Sequence, residues 1–292
     1  MKRNIIKAIG LSSLFALLIV TACNKGNLSQ PSSTVNEQSA NLASAKPMHH
    51  YGCKLHTEAE LNAMPRYVAP SSFTSKVAAS IILAHPPIGD QGQQGSCVGW
   101  GTATTRAIDT YYAKNSNSWS NSTNIMSAAY IYNQVKVSDC SSGAYVTDAL
   151  NLLKSQGVCT YSLMTYTDAN CSKQPNNTQK QDAGTRKIAK WSSIRKSDVA
   201  SIKSVLNQNK PLVIAVQVDD LFENGGDANH IWKKNNGRTL GGHCITIVGY
   251  DDAKNAFYVQ NQWGANWGAS GMIWIDYGMF KTSKVNEVYS IN

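Results

Sequence analysis

Asp90-Gln91-Gly92-Gln93-Gln94-Gly95-Ser96-Cys97 places a thiol where a turn rich in glycine and glutamine gives way to a helical pattern. From Ser96 to Lys114 the residues Trp100, Ala103, Ala107 and Tyr111 recur at near-helical spacing, which predicts a helix with Cys97 in its first turn. A helix N-terminus carries partial positive charge and free N–H groups, so it favours a thiolate and lowers the pKa of a cysteine there. The same N–H groups, with an amide side chain such as that of Gln91, suit the oxyanion formed when sulfur attacks a carbonyl. A helix-start cysteine is also found as a small buried hydrophobe, and this stretch alone leaves both readings open.

Two later stretches bear on the choice. Leu240-Gly241-Gly242-His243-Cys244-Ile245-Thr246-Ile247-Val248-Gly249-Tyr250 sets a histidine at the mouth of an apolar strand, and the two glycines leave space in front of the ring, as a general base needs. Tyr258-Val259-Gln260-Asn261-Gln262-Trp263-Gly264-Ala265-Asn266-Trp267-Gly268 follows, with Asn261 ending a strand 18 residues after His243. A hairpin would bring its amide oxygen onto the imidazole, fixing ring and tautomer without adding a full charge, and Trp263 would shield that contact from water. His230 also stands behind an asparagine, but no Val-Gly-Tyr strand follows it, and it reads as a loop histidine; His85, before Pro86-Pro87, has no assigned role.

Together these residues resemble the papain-like cysteine proteases, the C1 family, over about residues 83 to 281: Gln-x5-Cys, Gly-His before Val-Gly-Tyr, and Asn-x-Trp-Gly-x3-Trp-Gly, in the family's order. The resemblance implies a two-lobed α+β fold, a helical left lobe and an antiparallel sheet or barrel right lobe, with the active-site cleft between them. It makes Cys97 the nucleophile, His243 the general acid and base, Asn261 the orienting residue and Gln91 the oxyanion-hole donor, with Trp263 over the His243 to Asn261 contact. Ser142 and Gly143 fall where the family hydrogen-bonds an extended peptide, and Gly241 and Gly242 line the main side-chain pocket, expected to be roomy and apolar. Val98, Gln94 and Gln262 stand where the family has Trp, Cys and Ser, and Trp100 where it has Phe; by resemblance, Cys140 has lost its usual disulfide partner. The implied reaction is peptide hydrolysis through a thioester acyl-enzyme, with no metal or organic cofactor. A transpeptidase or amidase using the same Cys-His pair, and a non-catalytic peptide-binding module, are the competing readings.

Outward from this block the chain is organised simply. Further helices are expected over Ile125 to Val135, Val146 to Ser155 and Ser197 to Gln208, and strands over Leu212 to Val218, Cys244 to Tyr250, Ala256 to Val259 and Met272 to Tyr277. The polar stretch Thr167 to Thr185 reads as a surface loop. The peptidase domain is expected over 83–292, its left lobe at about 90–195 and its right lobe at about 196–292. Residues 1–22 have the basic start and short apolar run of a signal peptide, and Val20-Thr21-Ala22-Cys23 resembles the lipobox of bacterial lipoproteins, which makes Cys23 the lipidation site; a plain secretory signal is the alternative. Residues 23–46 form a polar tether and 47–82 an N-terminal extension or propeptide-like segment. That extension holds His49, His50, Cys53 and His56, a poor metal cage because no second ligand pair is near.

The 292 residues carry 27 Lys plus Arg against 18 Asp plus Glu, and the formal +9 falls to +6 if Lys2, Arg3 and Lys7 leave with residues 1–22. No basic stripe suggests nucleic acid. The expected partners are a peptide or protein substrate and a membrane reached through the lipid anchor, for a monomer in a bacterial cell envelope, at the outer membrane. Of seven cysteines, Cys23 and Cys97 are accounted for; an exported chain permits one disulfide among Cys140, Cys159 and Cys171, with Cys244 a buried free thiol.

Overall fold

A computed structural model describes residues 49–69, 78–234 and 237–292. The signal peptide, Cys23 and the tether lie outside the described residues.

The helical elements form where short apolar faces meet capping residues. The chain opens with β1 (Cys53–Lys54), α1 (Glu58–Ala63) and β2 (Ser80–Ile82). Thr57 and Glu60 close a reciprocal cap on α1. Then come α2 (Cys97–Ala113), α3 (Ala128–Val135), β3 (Ala144–Tyr145), α4 (Val146–Ser155) and α5 (Asn177–Gly184). The expected loop Thr167 to Thr185 is therefore partly helical. Asn176 and Gln179 form a capping box there, which starts a helix although the stretch has almost no apolar residues. The cap was legible as Asn-x-x-Gln, but without apolar periodicity it carried no weight.

The remaining elements are β4 (Trp191–Ile194), α6 (Val199–Leu206), β5 (Leu212–Val218), α7 (Asp220–Glu223), β6 (Ile231–Trp232), β7 (Gly241–Asp251), β8 (Ala256–Gln260), β9 (Met272–Asp276) and β10 (Val285–Ile291). One eight-stranded sheet runs β4-β10-β5-β7-β8-β9-β6, with β2 added to β7; its pairs are antiparallel except β6 with β9. Strand β4 lies inside the range expected for the helical lobe, yet it pairs with β10, so the sheet begins before residue 196.

Two apolar cores result. One gathers α2, α3 and α4 around Tyr130, Ile131, Leu150 and Leu153; the other fills the sheet with Ile214, Val216, Ile245, Ile247, Phe257 and Ile273. Helix α2 lies against β7 where the helix is bare: a Cβ on Gly101 would stand 2.8 Å from Cys244 Sγ, and Thr246 Oγ1 donates to Gly101 O at 2.9 Å. That close packing brings the first turn of α2 beside the start of β7, and with it Cys97 toward His243.

Candidate active site

Strand pairing builds the base. His243 lies opposite Val216 on one side of β7, while β8 returns antiparallel and delivers Asn261 just past its last residue. Asn261 Oδ1 sits 2.8 Å from His243 Nε2. An amide oxygen only accepts, so Nε2 carries the proton and Nδ1 is left with a free lone pair; Nδ1 is buried with no hydrogen-bond partner among the described residues. Trp263 covers the ring at a centroid distance of 4.4 Å, in the place expected for it.

The loop before α2 is tied down by groups that the sequence did not single out. Tyr166 Oη donates to Gln91 O at 2.7 Å and lies 2.6 Å from Ser96 Oγ. Asp168 accepts from Gln93 N–H at 3.0 Å. Cys140 pairs with Cys171, 31 residues on, and its carbonyl accepts from Gly95 N–H at 2.9 Å, so a different disulfide holds the same loop. Cys159 and Cys244 are buried and free.

Gln262 explains its own departure from the family pattern. Its Nε2 donates to Cys244 O at 2.9 Å and reaches Gln91 Oε1 at 3.3 Å, with His243 Nε2 at 3.2 Å. An acceptor role for Gln91 Oε1 turns the Gln91 NH2 the other way, toward His50 O at 2.8 Å and Gln94 O at 2.9 Å. Gln262 thereby fixes which end of the Gln91 amide faces the cleft.

What faces Gln91 is the chain's own N-terminal strand. His49 stacks on Trp263 at 4.1 Å and its Nδ1 lies 3.0 Å from Glu223 Oε1. Tyr51 Oη donates to Glu223 Oε2. Gly52 O accepts from Ala144 N–H at 2.8 Å, and β1 pairs parallel with β3. Farther on, His56 N–H donates to Glu287 Oε1 at 2.6 Å and His56 Nε2 lies 3.0 Å from Thr147 Oγ1. Of the four residues considered as a metal cage, the His49 and His56 rings turn to Glu223 and Glu287, and the Cys53 thiol donates to Lys54 O at 3.6 Å.

This strand crosses the expected substrate contacts at Gly143, Gly241 and Gly242. A Cβ on Gly143 would stand 2.2 Å from Gly52 O, one on Gly242 would stand 2.1 Å from Cys53 O, and one on Gly241 would enter the Tyr51 ring. Ser142 instead bonds within its own exposed turn, its Oγ donating to Asp139 O, and the ladder bond expected near Ser142 and Gly143 comes from Ala144. The wall at Gly241 and Gly242 is not apolar throughout, because Glu223 stands behind the Tyr51 hydroxyl.

Burial under this strand inverts the expected electrostatics. Cys97 is fully buried, and desolvation pushes its thiol up, while backbone hydrogen bonds from Cys244, Gly52 and Val98 pull the other way. Desolvation likewise pushes His243 down to about 4, against the Asn261 hydrogen bond. Both shifts favour a thiol and a neutral imidazole in this closed state, opposite to the lowered thiol pKa expected from the helix start. His230 sits apart, its Nδ1 3.0 Å from Gly225 O, and His85 Nδ1 lies 3.2 Å from Pro86 O.

Gamete and mating-type specific protein A of Dictyostelium discoideum is 28% identical over 190 residues, 63% of this chain and 39% of that protein. The gut-specific cysteine proteinase of Caenorhabditis elegans is 30% identical over 159 residues, 47% of each chain. The chain thus spans less than half the length of these two relatives. Xylellain, a cysteine protease from Xylella fastidiosa, superposes with a TM-score of 0.71 at 23% identity, over 85% of this chain and 97% of that one. Residues 70–291 match the sequence profile of the Papain family cysteine protease. With that match over most of its length and the papain-like fold around Cys97, His243 and Asn261, the chain belongs to the papain family of cysteine proteases.

Proposed function

We propose that the chain is a cysteine-type peptidase that cleaves peptide bonds through a thioester, and that residues 49–56 hold it latent. One observation carries this reading: an extended peptide backbone already lies in the cleft, with Gly52 on Cys97 and Ala144 and a carbonyl on the Gln91 NH2. A site that binds a strand in this way recognises peptide main chain.

The chemistry follows from the groups in place. His243 Nδ1 takes the proton of Cys97, and the thiolate attacks a substrate carbonyl carbon. The oxyanion accepts from Gln91 Nε2, oriented by Gln262. His243 then protonates the departing amine, and water activated by the same nitrogen hydrolyses the thioester, releasing a free acid. Asn261 holds the ring through both steps.

The bound strand meets the two groups through different residues. The carbonyl on Gln91 belongs to His50, whereas Cys97 is hydrogen-bonded to the Gly52 backbone. A backbone hydrogen bond that favours the thiolate comes from an N–H, so the Gly52 amide is the group on the sulfur. When the strand leaves, water returns, and the burial that raises Cys97 and lowers His243 is relieved. Tyr51 over Gly241, with its hydroxyl on Glu223, supports a large substrate side chain there, aromatic with a hydroxyl or basic.

The test uses the full chain under reducing conditions, before and after limited proteolysis ahead of residue 57. Hydrolysis of a fluorogenic dipeptide amide bearing a large aromatic residue, absent in Cys97→Ala, is the expected result. A new amide in place of a free acid would identify a transferase, and failure of a thiol-directed epoxide to label Cys97 after proteolysis would leave a binding module. We also propose lipidation of Cys23 at the envelope of a bacterium, tested by radiolabelled fatty acid incorporation that is lost in Cys23→Ser.

A further inference from the structure

Three thiols meet where the N-terminal strand crosses the site. Cys97, Cys244 and Cys53 are buried and free, with Cys53 only 7% exposed. Cys53 packs over β7: a Cβ on Gly242 would stand 2.1 Å from Cys53 O and 3.7 Å from Cys53 Cβ, and Cys244 follows two residues on, on the same face of the strand, which makes the two thiols neighbours. Cys97 points its sulfur at backbone groups of Cys244, Gly52 and Val98. The peptidase mechanism uses Cys97 and leaves the other two without a role. Cys53 is the one cysteine of the strand, and Cys244 belongs to β7, beside His243.

We propose that Cys53 and Cys244 form a reversible disulfide that bolts the N-terminal strand into the cleft, so that the enzyme opens only after reduction. This rests on the reading of Cys97 as a nucleophile kept latent by residues 49–56. A covalent tie suits this place because the strand's other holds, to Glu223, Gln91, Ala144 and Glu287, are hydrogen bonds that a transient opening breaks one by one.

The step needs a small-molecule disulfide as oxidant. In the closed state the hydrogen bond with Cys244, and then burial, push Cys53 up, while burial pushes Cys244 up, so neither is a thiolate. When the strand swings out, the Cys53 thiolate attacks the small disulfide, forming a mixed disulfide and expelling one small thiolate. On re-entry the Cys244 sulfur, giving up its proton, attacks the Cys53 sulfur and expels the second. Two protein thiols become one disulfide, the small disulfide becomes two thiols, and a reducing thiol reverses both exchanges.

The experiment incubates the full chain with glutathione disulfide, alkylates free thiols, digests without reductant and maps linked peptides. A Cys53–Cys244 link with Cys97 alkylated after denaturation is expected. In parallel, labelling of Cys97 by a thiol-directed epoxide should slow about tenfold or more on oxidation, because the disulfide holds the strand on β7 and shortens the loop over which it must reclose. It should recover with dithiothreitol, and in Cys53→Ser it should not slow at all. A Cys53–Cys97 link, free Cys53 and Cys244 after incubation, or equal slowing in Cys53→Ser would each overturn the proposal. The link map reads no activity, so an absence of hydrolysis in the reduced, proteolysed chain would sink the peptidase reading without deciding the disulfide.

Discussion

Gly52 is the point at which the latent state can be broken by one methyl group. The strand passes so close to the loop before α2 that a Cβ on Gly52 would stand 1.8 Å from Gly95 O and 2.4 Å from Gly95 C. Both are backbone atoms of the loop that carries Cys97, so they cannot swing aside. An ordinary carbon–oxygen contact is about 3.3 Å, so alanine pushes the strand out by about 1.5 Å. That displacement carries the two 2.8 Å bonds, from Ala144 N–H to Gly52 O and from Gln91 Nε2 to His50 O, beyond hydrogen-bonding distance. With the disturbed packing of Tyr51 the loss is about 2–4 kcal/mol, roughly a 30- to 900-fold shift from closed to open. In Gly52→Ala, the epoxide should label Cys97 faster by a factor in that range under reducing conditions, and hydrolysis of the fluorogenic amide should rise with it. The thermal midpoint of the domain should fall as well, because Cys53 belongs to one core and Tyr51 packs against the other. An unchanged labelling rate in a normally folded variant would refute the idea that the strand gates the site.

Three further outcomes follow from the same geometry. Asn261→Ala removes the buried acceptor at 2.8 Å from His243, and kcat of the opened enzyme should fall roughly 5- to 150-fold, from about 1–3 kcal/mol, with KM little changed in steady-state kinetics. Gln262→Ser frees Gln91 to turn; kcat should drop by up to about tenfold for the one hydrogen bond lost, and Gln262→Glu, which keeps the size but cannot donate, should not restore it. The third concerns pH: His243 lies at about 4 when buried, below its unfolded value of 6.5, so the folded chain binds fewer protons between those values. Its contribution is full above pH 6.5 and is lost as pH falls toward 4, so urea unfolding should show stability declining by about 3 kcal/mol across that window. A flat profile there would contradict burial of a neutral imidazole.

The candidate site was legible because its residue types and spacing are written locally. A thiol in a first helical turn behind glycines, a histidine at a strand mouth and an amide ending the next strand each follow from residue type and spacing, and β7 and β8 needed only a hairpin to join the last two. The helices with apolar faces, α2 and α4, were legible for the same reason, whereas α5, β1 and β3 were not: a polar capped helix and two-residue strands have no periodicity to read. Tertiary structure alone decided that Cys140 joins Cys171, that Gln262 orients Gln91, and that Glu223 stands behind Tyr51. It also decided the protonation of the site, since the same Cys97 is a thiolate candidate at a bare helix start and a buried thiol beneath residues 49–56. The physical reason is that burial and backbone pairing across 90 or more positions depend on which segments meet, and a polar strand held by main-chain hydrogen bonds leaves no mark in its own side-chain pattern.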